Sequence, residues 1–285
     1  MGKNKQTVIM PKACVIGWPV KHSLSPKLHR HWINHYNLNA DYRHEEIEPD
    51  DVVEFIGSLA KHGYVGANVT MPYKDVAFQV SKPDKRANFV ESANTLWIEN
   101  DVIRATNTDI EGFVHALDAR APGWDHRSNE ALVLGAGGAG RAVIYGLLER
   151  GITRVHVVNR DLHKVSDLQK KLGNSVIAHK WDAVPSLVGR STLLVNTTPL
   201  GMIGHEPLRI DINSLPSTAV VCDIVYIPLE TPLLAAAKAL KLVTLNGLDM
   251  LLHQAVRGFE LWFGIRPKVT QKLCNLLAAD INRTY

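Results

Sequence analysis

The sequence predicts an α/β protein with two α/β domains, and three observations carry that expectation. Short β-rich runs alternate with helix-period segments along nearly the whole chain, the pattern of parallel sheets covered by helices. A polar, Pro- and Gly-bearing stretch at residues 121–130 (APGWDHRSNE) separates two such alternations. A glycine-rich turn at residues 135–140 then stands between a buried-type strand and an amphipathic helix. A length of 285 residues gives both domains enough chain for a core.

In order, residues 13–17 read as a strand and 26–36 as a helix with Pro26 in its first turn. A strand at 42–47, a helix at 51–62 and a strand ending at 67–70 follow. Residues 95–98 and 102–105 flank Asn100-Asp101 and read as a hairpin. Asp109 is placed to cap a helix at 110–117. Past the polar break, strands are expected at 131–135, 155–158, 176–179, 193–196, 220–225 and 243–245, with helices at 141–149 and 162–172 among them. The tail, 248–263 and 268–282, reads as two helices with no strand after them. The apolar stripe of 248–263, with Trp262, is read as core.

Composition excludes several classes. Hydrophobic content of 46% and charged content of 21% are those of an ordinary globular protein. The net charge of +4 is spread along the chain, so no nucleic-acid partner is expected. No apolar run approaches the roughly 20 residues of a membrane span, and the start lacks the apolar stretch of a signal peptide. Gly2 stands where myristoylation would need it, but Gln6 replaces the required Ser or Thr. Cys14, Cys222 and Cys274 are odd in number and far apart, which points to reduced thiols and a cytoplasmic protein. The N-x-Thr triplets at Asn68, Asn196 and Asn282 are then chance matches. His31 and His35 could share a helix face, yet no carboxylate or cysteine completes a metal site, and none is expected.

The sharpest signal is Leu132-Val133-Leu134-Gly135-Ala136-Gly137-Gly138-Ala139-Gly140, a G-x-G-x-x-G in strand–turn–helix context. Gly135 permits the tight turn, Gly137 lets the backbone approach a pyrophosphate, and Gly140 allows close helix–strand packing. Free N–H groups at the helix start meet the negative charge. The ribose is read about 20 residues on, where this chain has Val158-Asn159-Arg160-Asp161. Arg160 can clamp a 2′-phosphate, with Lys164 adding charge. Asp161 could repel that phosphate and favour NAD, or merely cap the helix at 162–172. The cap is the preferred reading, so NADP leads.

Elsewhere, Ser23-Leu24-Ser25-Pro26 offers two hydroxyls and a helix start as a carboxylate cradle, although Ser25 alone reads as an N-cap. Asn68-Val69-Thr70-Met71-Pro72-Tyr73-Lys74 leaves the C-terminal end of a strand, where α/β ligand sites gather. Asn94-Thr95 and Asn107-Thr108-Asp109 follow. Further on stand Asn196-Thr197-Thr198-Pro199-Leu200-Gly201-Met202, Asp223-Ile224-Val225-Tyr226, and Gly247-Leu248-Asp249-Met250-Leu251 with Gln254. In this order, over residues 15–263, the series resembles the shikimate dehydrogenase family.

The resemblance implies an α/β substrate domain (1–109 and 247–285), a Rossmann-type, doubly wound NADP-binding domain (110–246), and a cleft between them. It implies reversible NADPH-dependent reduction of 3-dehydroshikimate to shikimate, in aromatic amino-acid biosynthesis, by a monomer or homodimer. Lys74 and Asp109 would form the catalytic pair. Ser23 and Ser25 would bind the substrate carboxylate with Tyr226 nearby, while Thr70, Asn94, Asp109 and Gln254 hold the ring hydroxyls. Gly135, Ala136, Gly137, Gly138, Ala139, Asn159, Arg160, Asp161, Lys164, Ile224 and Gly247 would line the cofactor. Two departures stand out: Asp161 where the family commonly has Thr or Ser, and Glu91-Ser92-Ala93 where Gly-Ala-Val is usual. Asp161 keeps open an NAD-linked or dual-cofactor quinate/shikimate dehydrogenase. A non-catalytic sensor of dinucleotide or cyclic acid is the reading from another class, and it predicts binding without turnover.

Overall fold

A computed structural model describes residues 10–284, and its strands form two six-stranded sheets. The first holds β1 (Lys12–Gly17), β2 (Asp41–Glu46), β3 (Tyr64–Val69), β4 (Lys82–Pro83), β5 (Thr95–Glu99) and β6 (Val102–Thr106), in the order β2-β1-β3-β5-β6-β4. β1 runs parallel to β2 and β3, whereas β5 is antiparallel to both β3 and β6. The expected hairpin is this β5–β6 pair, with Asn100 and Asp101 at φ 51° and 61°. Both turn residues are the types that accept the left-handed region most readily.

The second sheet holds β7 (Glu130–Leu134), β8 (Arg154–Val158), β9 (Val176–His179), β10 (Leu193–Asn196), β11 (Val220–Asp223) and β12 (Val243–Asn246). All its pairings are parallel, in the order β12-β11-β10-β7-β8-β9. Numbered from β7, that is 6-5-4-1-2-3, the doubly wound order of a dinucleotide-binding fold. Its central strands β7, β10 and β11 are fully buried and apolar along most of their length, because both faces are covered. Ala131 and Val133 of β7 join the core that Phe113, Val143 and Leu147 build on one side. Leu132 and Leu134 join Val184, Leu187 and Leu234 on the other.

By contacts the chain forms two compact units. One takes residues up to Asp84, with Ser92–Thr106 and Val256–Lys268; the other takes Lys85–Glu91, Asn107–Ala255 and the residues from Val269 on. Residues 85–91, 107–109, 247–255 and 269–284 thus group with the second sheet, where the sequence reading assigns them to the first domain. For 247–255 a local reason is visible at Arg120, whose guanidinium donates to both carboxylate oxygens of Asp249 at 3.0 and 3.1 Å.

The polar break has structure of its own. Within it the short helix Trp124–Arg127 buries Trp124, which donates to Asp118 at 3.0 Å. The helix expected over 51–62 is shorter, Val52–Gly57, because the Ser58 hydroxyl bonds back to Glu54 O at 2.8 Å where the helix ends. Helices Lys74–Gln79 and Lys85–Val90 and strand β4 are too short for periodicity to reveal. Among the described residues no helix is long and apolar enough to cross a membrane. Gly2 and Gln6 lie outside the described residues.

Candidate active site

The glycine turn leaves the C-terminal end of β7 and enters the helix Gly138–Glu149. This is the switch point of the second sheet, where β10 lies on one side of β7 and β8 on the other. Gly135 sits at φ 104°, a region that L side chains rarely adopt. A Cβ on Gly140 would lie 2.7 Å from Gly135 O and 2.8 Å from Thr197 Oγ1, so the turn closes only with glycine there. The Thr197 hydroxyl reinforces it, donating to Leu134 O at 2.8 Å. Gly137, by contrast, faces open space, in extended backbone at the helix N-cap. Gly138 and Ala139 form the first helical positions, and Ala136 is buried beneath them. The arrangement fits a pyrophosphate: an uncrowded backbone approach beside unsatisfied helical N–H groups.

β8 runs parallel to β7 and delivers Asn159, Arg160 and Asp161 at its end. Asp161 is the N-cap of the helix Leu162–Leu172, its Oδ1 accepting from His163 N at 3.0 Å. The preferred sequence reading of this residue therefore holds. Asn159 Nδ2 donates to Asp161 O at 2.8 Å, which tightens the same corner. Arg160 and Lys164 are exposed. On the other side of the sheet Gly247 N donates to Val225 O at 3.2 Å, and a Cβ on Gly247 would collide with Ile224 O. Ile224 and Tyr226 are half-buried at the end of β11.

Sequence reasoning gave no role to Asp223, fully buried at the end of β11. It accepts from Thr231 Oγ1 at 2.7 Å, Asn196 Nδ2 at 3.0 Å and Val225 N at 3.1 Å. Burial pushes its carboxyl up to about 6 in spite of those three donors. Asn196 passes the constraint on, since its Oδ1 accepts from Thr198 Oγ1 at 2.7 Å. Asn196-Thr197-Thr198 is thus a built corner that holds the glycine turn and the end of β11.

In the first unit, Ser23 lies between β1 and the helix Ser25–His35, and the N–H of Ser25 donates to Ser23 Oγ at 3.3 Å. Ser25 opens that helix rather than capping it; its N-cap is Leu24. Thr70 follows β3 and its N–H donates to Ile16 O at 2.9 Å. Lys74 is the first residue of its helix, half-buried, and its carbonyl accepts from Ala93 N at 3.0 Å. The Tyr73 hydroxyl fastens that corner by donating to Ile47 O at 2.6 Å. Asn94 is buried beside it.

Asp109 and Gln254 belong to the second unit, and both are buried. Asp109 opens its helix and its N–H donates to Asn107 Oδ1 at 3.1 Å. Thr108 Oγ1 donates to Gln254 Oε1 at 3.1 Å, which ties the start of the Asp109 helix to the middle of the helix Gly247–Phe263. Among the described residues there is no group of three His, Cys, Asp or Glu placed to hold a metal ion. His31 and His35 stack with ring centroids 6.4 Å apart.

A doubly wound sheet with a glycine cradle at its switch point, joined in one chain to a second α/β unit with clustered polar side chains, defines the class of dinucleotide-dependent α/β enzymes. Family models narrow this. Residues 15–96 match the shikimate dehydrogenase substrate binding domain, 118–203 the shikimate/quinate 5-dehydrogenase model, and 247–271 the shikimate 5′-dehydrogenase C-terminal domain. The chain is 53% identical over 269 residues to "Shikimate dehydrogenase (NADP(+))" of Rhodopseudomonas palustris (strain TIE-1), covering 94% of this chain and 96% of that one. It is 54% identical to the protein of that name from Nitrobacter winogradskyi, with the same coverage. Among solved structures, shikimate 5-dehydrogenase of Thermus thermophilus in complex with NADP(H) and shikimate superposes with a TM-score of 0.84, at 30% identity and with 95% and 100% of the two chains covered. Quinate dehydrogenase of Corynebacterium glutamicum in complex with NAD gives 0.86 at 26% identity, with 95% and 99% covered. The chain belongs to the shikimate dehydrogenase family.

Proposed function

We propose that the chain catalyses the reversible NADPH-dependent reduction of 3-dehydroshikimate to shikimate, a step of aromatic amino-acid biosynthesis. One structural observation carries the cofactor half of this reading: the Gly135–Gly140–Thr197 closure at the switch point of a 6-5-4-1-2-3 sheet. The substrate half rests on relatives above 50% identity that bear the name shikimate dehydrogenase (NADP(+)). Asp161 caps its own helix, which gives its carboxylate a role other than holding the ribose of NAD.

When bound, NADPH supplies the hydride. Reduction of a ketone leaves an alkoxide that needs a proton, and Lys74 Nζ stabilises that charge and delivers the proton, acting as base in the reverse direction. Asp109 is its partner. Ser23 and Ser25 hold the substrate carboxylate with Tyr226 nearby; Thr70, Asn94, Asp109 and Gln254 hold the ring hydroxyls. The backbone of 135–139 takes the pyrophosphate, and Arg160, with Asn159, Asp161 and Lys164 around it, takes the 2′-phosphate end. Ile224 and Gly247 line the nicotinamide end. In this reading residues 1–109 and 247–285 serve the substrate and 110–246 the dinucleotide. The enzyme works in the cytoplasm as a monomer or homodimer.

Absorbance at 340 nm, followed with NADP or NAD against shikimate or quinate, tests reaction, substrate and cofactor together. Turnover of shikimate with NADP is expected. Binding of both ligands without turnover would make the chain a sensor instead. The exposed Asp161 carboxylate, and a structural neighbour described as an NAD complex of quinate dehydrogenase, favour one second reading: a dual-cofactor quinate/shikimate enzyme. Comparable rates with NAD and quinate would establish it.

A further inference from the structure

At the end of β11 a buried carboxylate stands beside the residues assigned to the nicotinamide, and no role yet uses its charge. Asp223 is fully buried and directly precedes Ile224. Across the ladder it lies opposite Asn246, which directly precedes Gly247. Both positions assigned to the nicotinamide end therefore lie one residue beyond this pair.

The partners of Asp223 are neutral. Val225 N donates to Oδ1 at 3.1 Å, and a main-chain N–H cannot accept. Asn196 Nδ2 donates to the same oxygen at 3.0 Å. That amide is held by its own neighbours: Nδ2 also donates to Leu200 O at 3.1 Å, and Oδ1 accepts from Thr198 N at 3.0 Å. A carbonyl on one edge and an N–H on the other leave it one orientation. Thr231 Oγ1 caps the helix Pro232–Ala239 and donates to Oδ2 at 2.7 Å. Burial raises the carboxyl to about 6 and the three donors oppose the rise, so at neutral pH most of it is ionised. A hydroxyl, an amide and a main-chain N–H solvate that charge without cancelling it. Among the described residues no Lys, Arg or His forms an ion pair with it. In low-dielectric surroundings such a charge reaches further than it would in water.

The nicotinamide ring is cationic when oxidised and neutral when reduced. We propose that Asp223 is a fixed counter-charge for the oxidised ring, which makes the site favour NADP+ over NADPH and so renders bound NADPH the stronger hydride donor. The proposal rests on the reading above that Ile224 and Gly247 line the nicotinamide end. The hydride carries its electron pair to the carbonyl carbon of the substrate, the alkoxide takes up a proton, and the positive charge left behind is the one that Asp223 offsets. No contact with the ring is required of it.

Calorimetric titration of NADP+ and of NADPH into the parent and into Asp223→Asn tests this, at about pH 8, well above the carboxyl's own range. The ratio of dissociation constants, NADP+ over NADPH, should rise about three- to tenfold in the variant, the order expected of one unit charge removed from the neighbourhood of another inside a protein. A loss of fit alone would weaken both forms alike and leave the ratio where it was. Thr231→Val supplies that control, because it removes a donor and a helix cap but keeps the charge; its ratio should match the parent's. A shift in Thr231→Val as large as that in Asp223→Asn would mark a merely structural role and overturn the proposal. An unchanged ratio in Asp223→Asn, with both cofactors bound, would overturn it while leaving the cofactor assignment standing. A parent protein that binds neither dinucleotide would remove the assignment and the proposal together. Should Asp223→Asn fail to fold, Asp223→Ser, neutral and smaller, decides the ratio.

Discussion

The two sheets build their binding surfaces from different materials. At the end of β7 the surface is main chain: Gly135, Gly137 and Gly140 work by what they lack, and the closure is measured in the 2.7 Å that separates a hypothetical Cβ from a carbonyl oxygen. At the ends of β1 and β3 and the start of β5 the proposed surface is side chains, held by other side chains from strands far apart in sequence, as in the Tyr42–Asn68–Thr95 series. Backbone recognition suits a pyrophosphate, which needs N–H groups and field rather than shape. Side-chain recognition suits a small hydroxylated ring, whose isomers differ only in where donors and acceptors point. Substitutions that act on one region and spare the other should separate these two designs.

The largest effect is expected on the side-chain surface. Lys74→Ala should lower turnover by about 10²–10⁴-fold, the usual worth of a positioned proton donor. Fluorescence titration should find NADPH binding unchanged. Turnover equal to the parent enzyme would remove Lys74 from the chemistry.

On the backbone surface the three glycines are not equivalent. Gly140→Ala forces a methyl against main chain and the Thr197 hydroxyl, and should cost about 1–3 kcal/mol of stability. The KM for NADP should rise with it. Gly137→Ala meets nothing within 4 Å, so its melting temperature should hold while the KM for NADP rises alone. Calorimetry and kinetics on the pair would fault this account if both variants melted alike.

Asp223 links the backbone turn to β11 and gives the second sheet a pH signature. Its folded-state pKa, about 6, lies above the usual 3.8, so burial disfavours the ionised form. The sign follows: its contribution is fully present below pH 3.8 and is lost as pH rises through 6. Asp223→Asn removes that titration. Relative to the parent, the variant should gain on the order of 2–3 kcal/mol between pH 4 and pH 7. Parallel thermal unfolding curves at the two pH values would contradict the shift.

The contrast also explains what the sequence disclosed. The turn at 135–140 was legible because its physics is local: six consecutive residues, between a strand and a helix, state the whole requirement. The alternation of strands and helices was legible for the same reason, with errors where elements fall below one or two periods, as at Lys74–Gln79 and Lys82–Pro83. The resemblance drew attention to Asn94, but nothing in the neighbouring residues shows that Asn68, 26 positions away, donates to its carbonyl. In the sequence Asp223 is only one residue of a motif; its burial depends on Thr231 and Asn196 arriving from either side. The grouping of residues 247–255 was likewise hidden, since it depends on contacts such as that of Arg120 with Asp249 and not on any local pattern.

Asp161 is where a local feature and a distant purpose compete, and it carries the smallest expected effect. Its carboxylate caps the helix Leu162–Leu172 through His163 N. Asp161→Ala should therefore cost about 1 kcal/mol, the ordinary worth of an N-cap, and Asp161→Ser should cost almost nothing because a hydroxyl caps equally well. If capping is its whole purpose, the ratio of NADP to NAD turnover is the same in the parent and in Asp161→Ser. If the carboxylate also bears on the ribose, removing its charge beside Arg160 should raise that ratio several-fold while stability stays put, because exposed charge pairs act weakly but with definite sign. The serine variant thus separates helix chemistry from cofactor choice at a single side chain. A rise in the ratio would mean that the backbone surface, too, takes part of its specificity from a side chain.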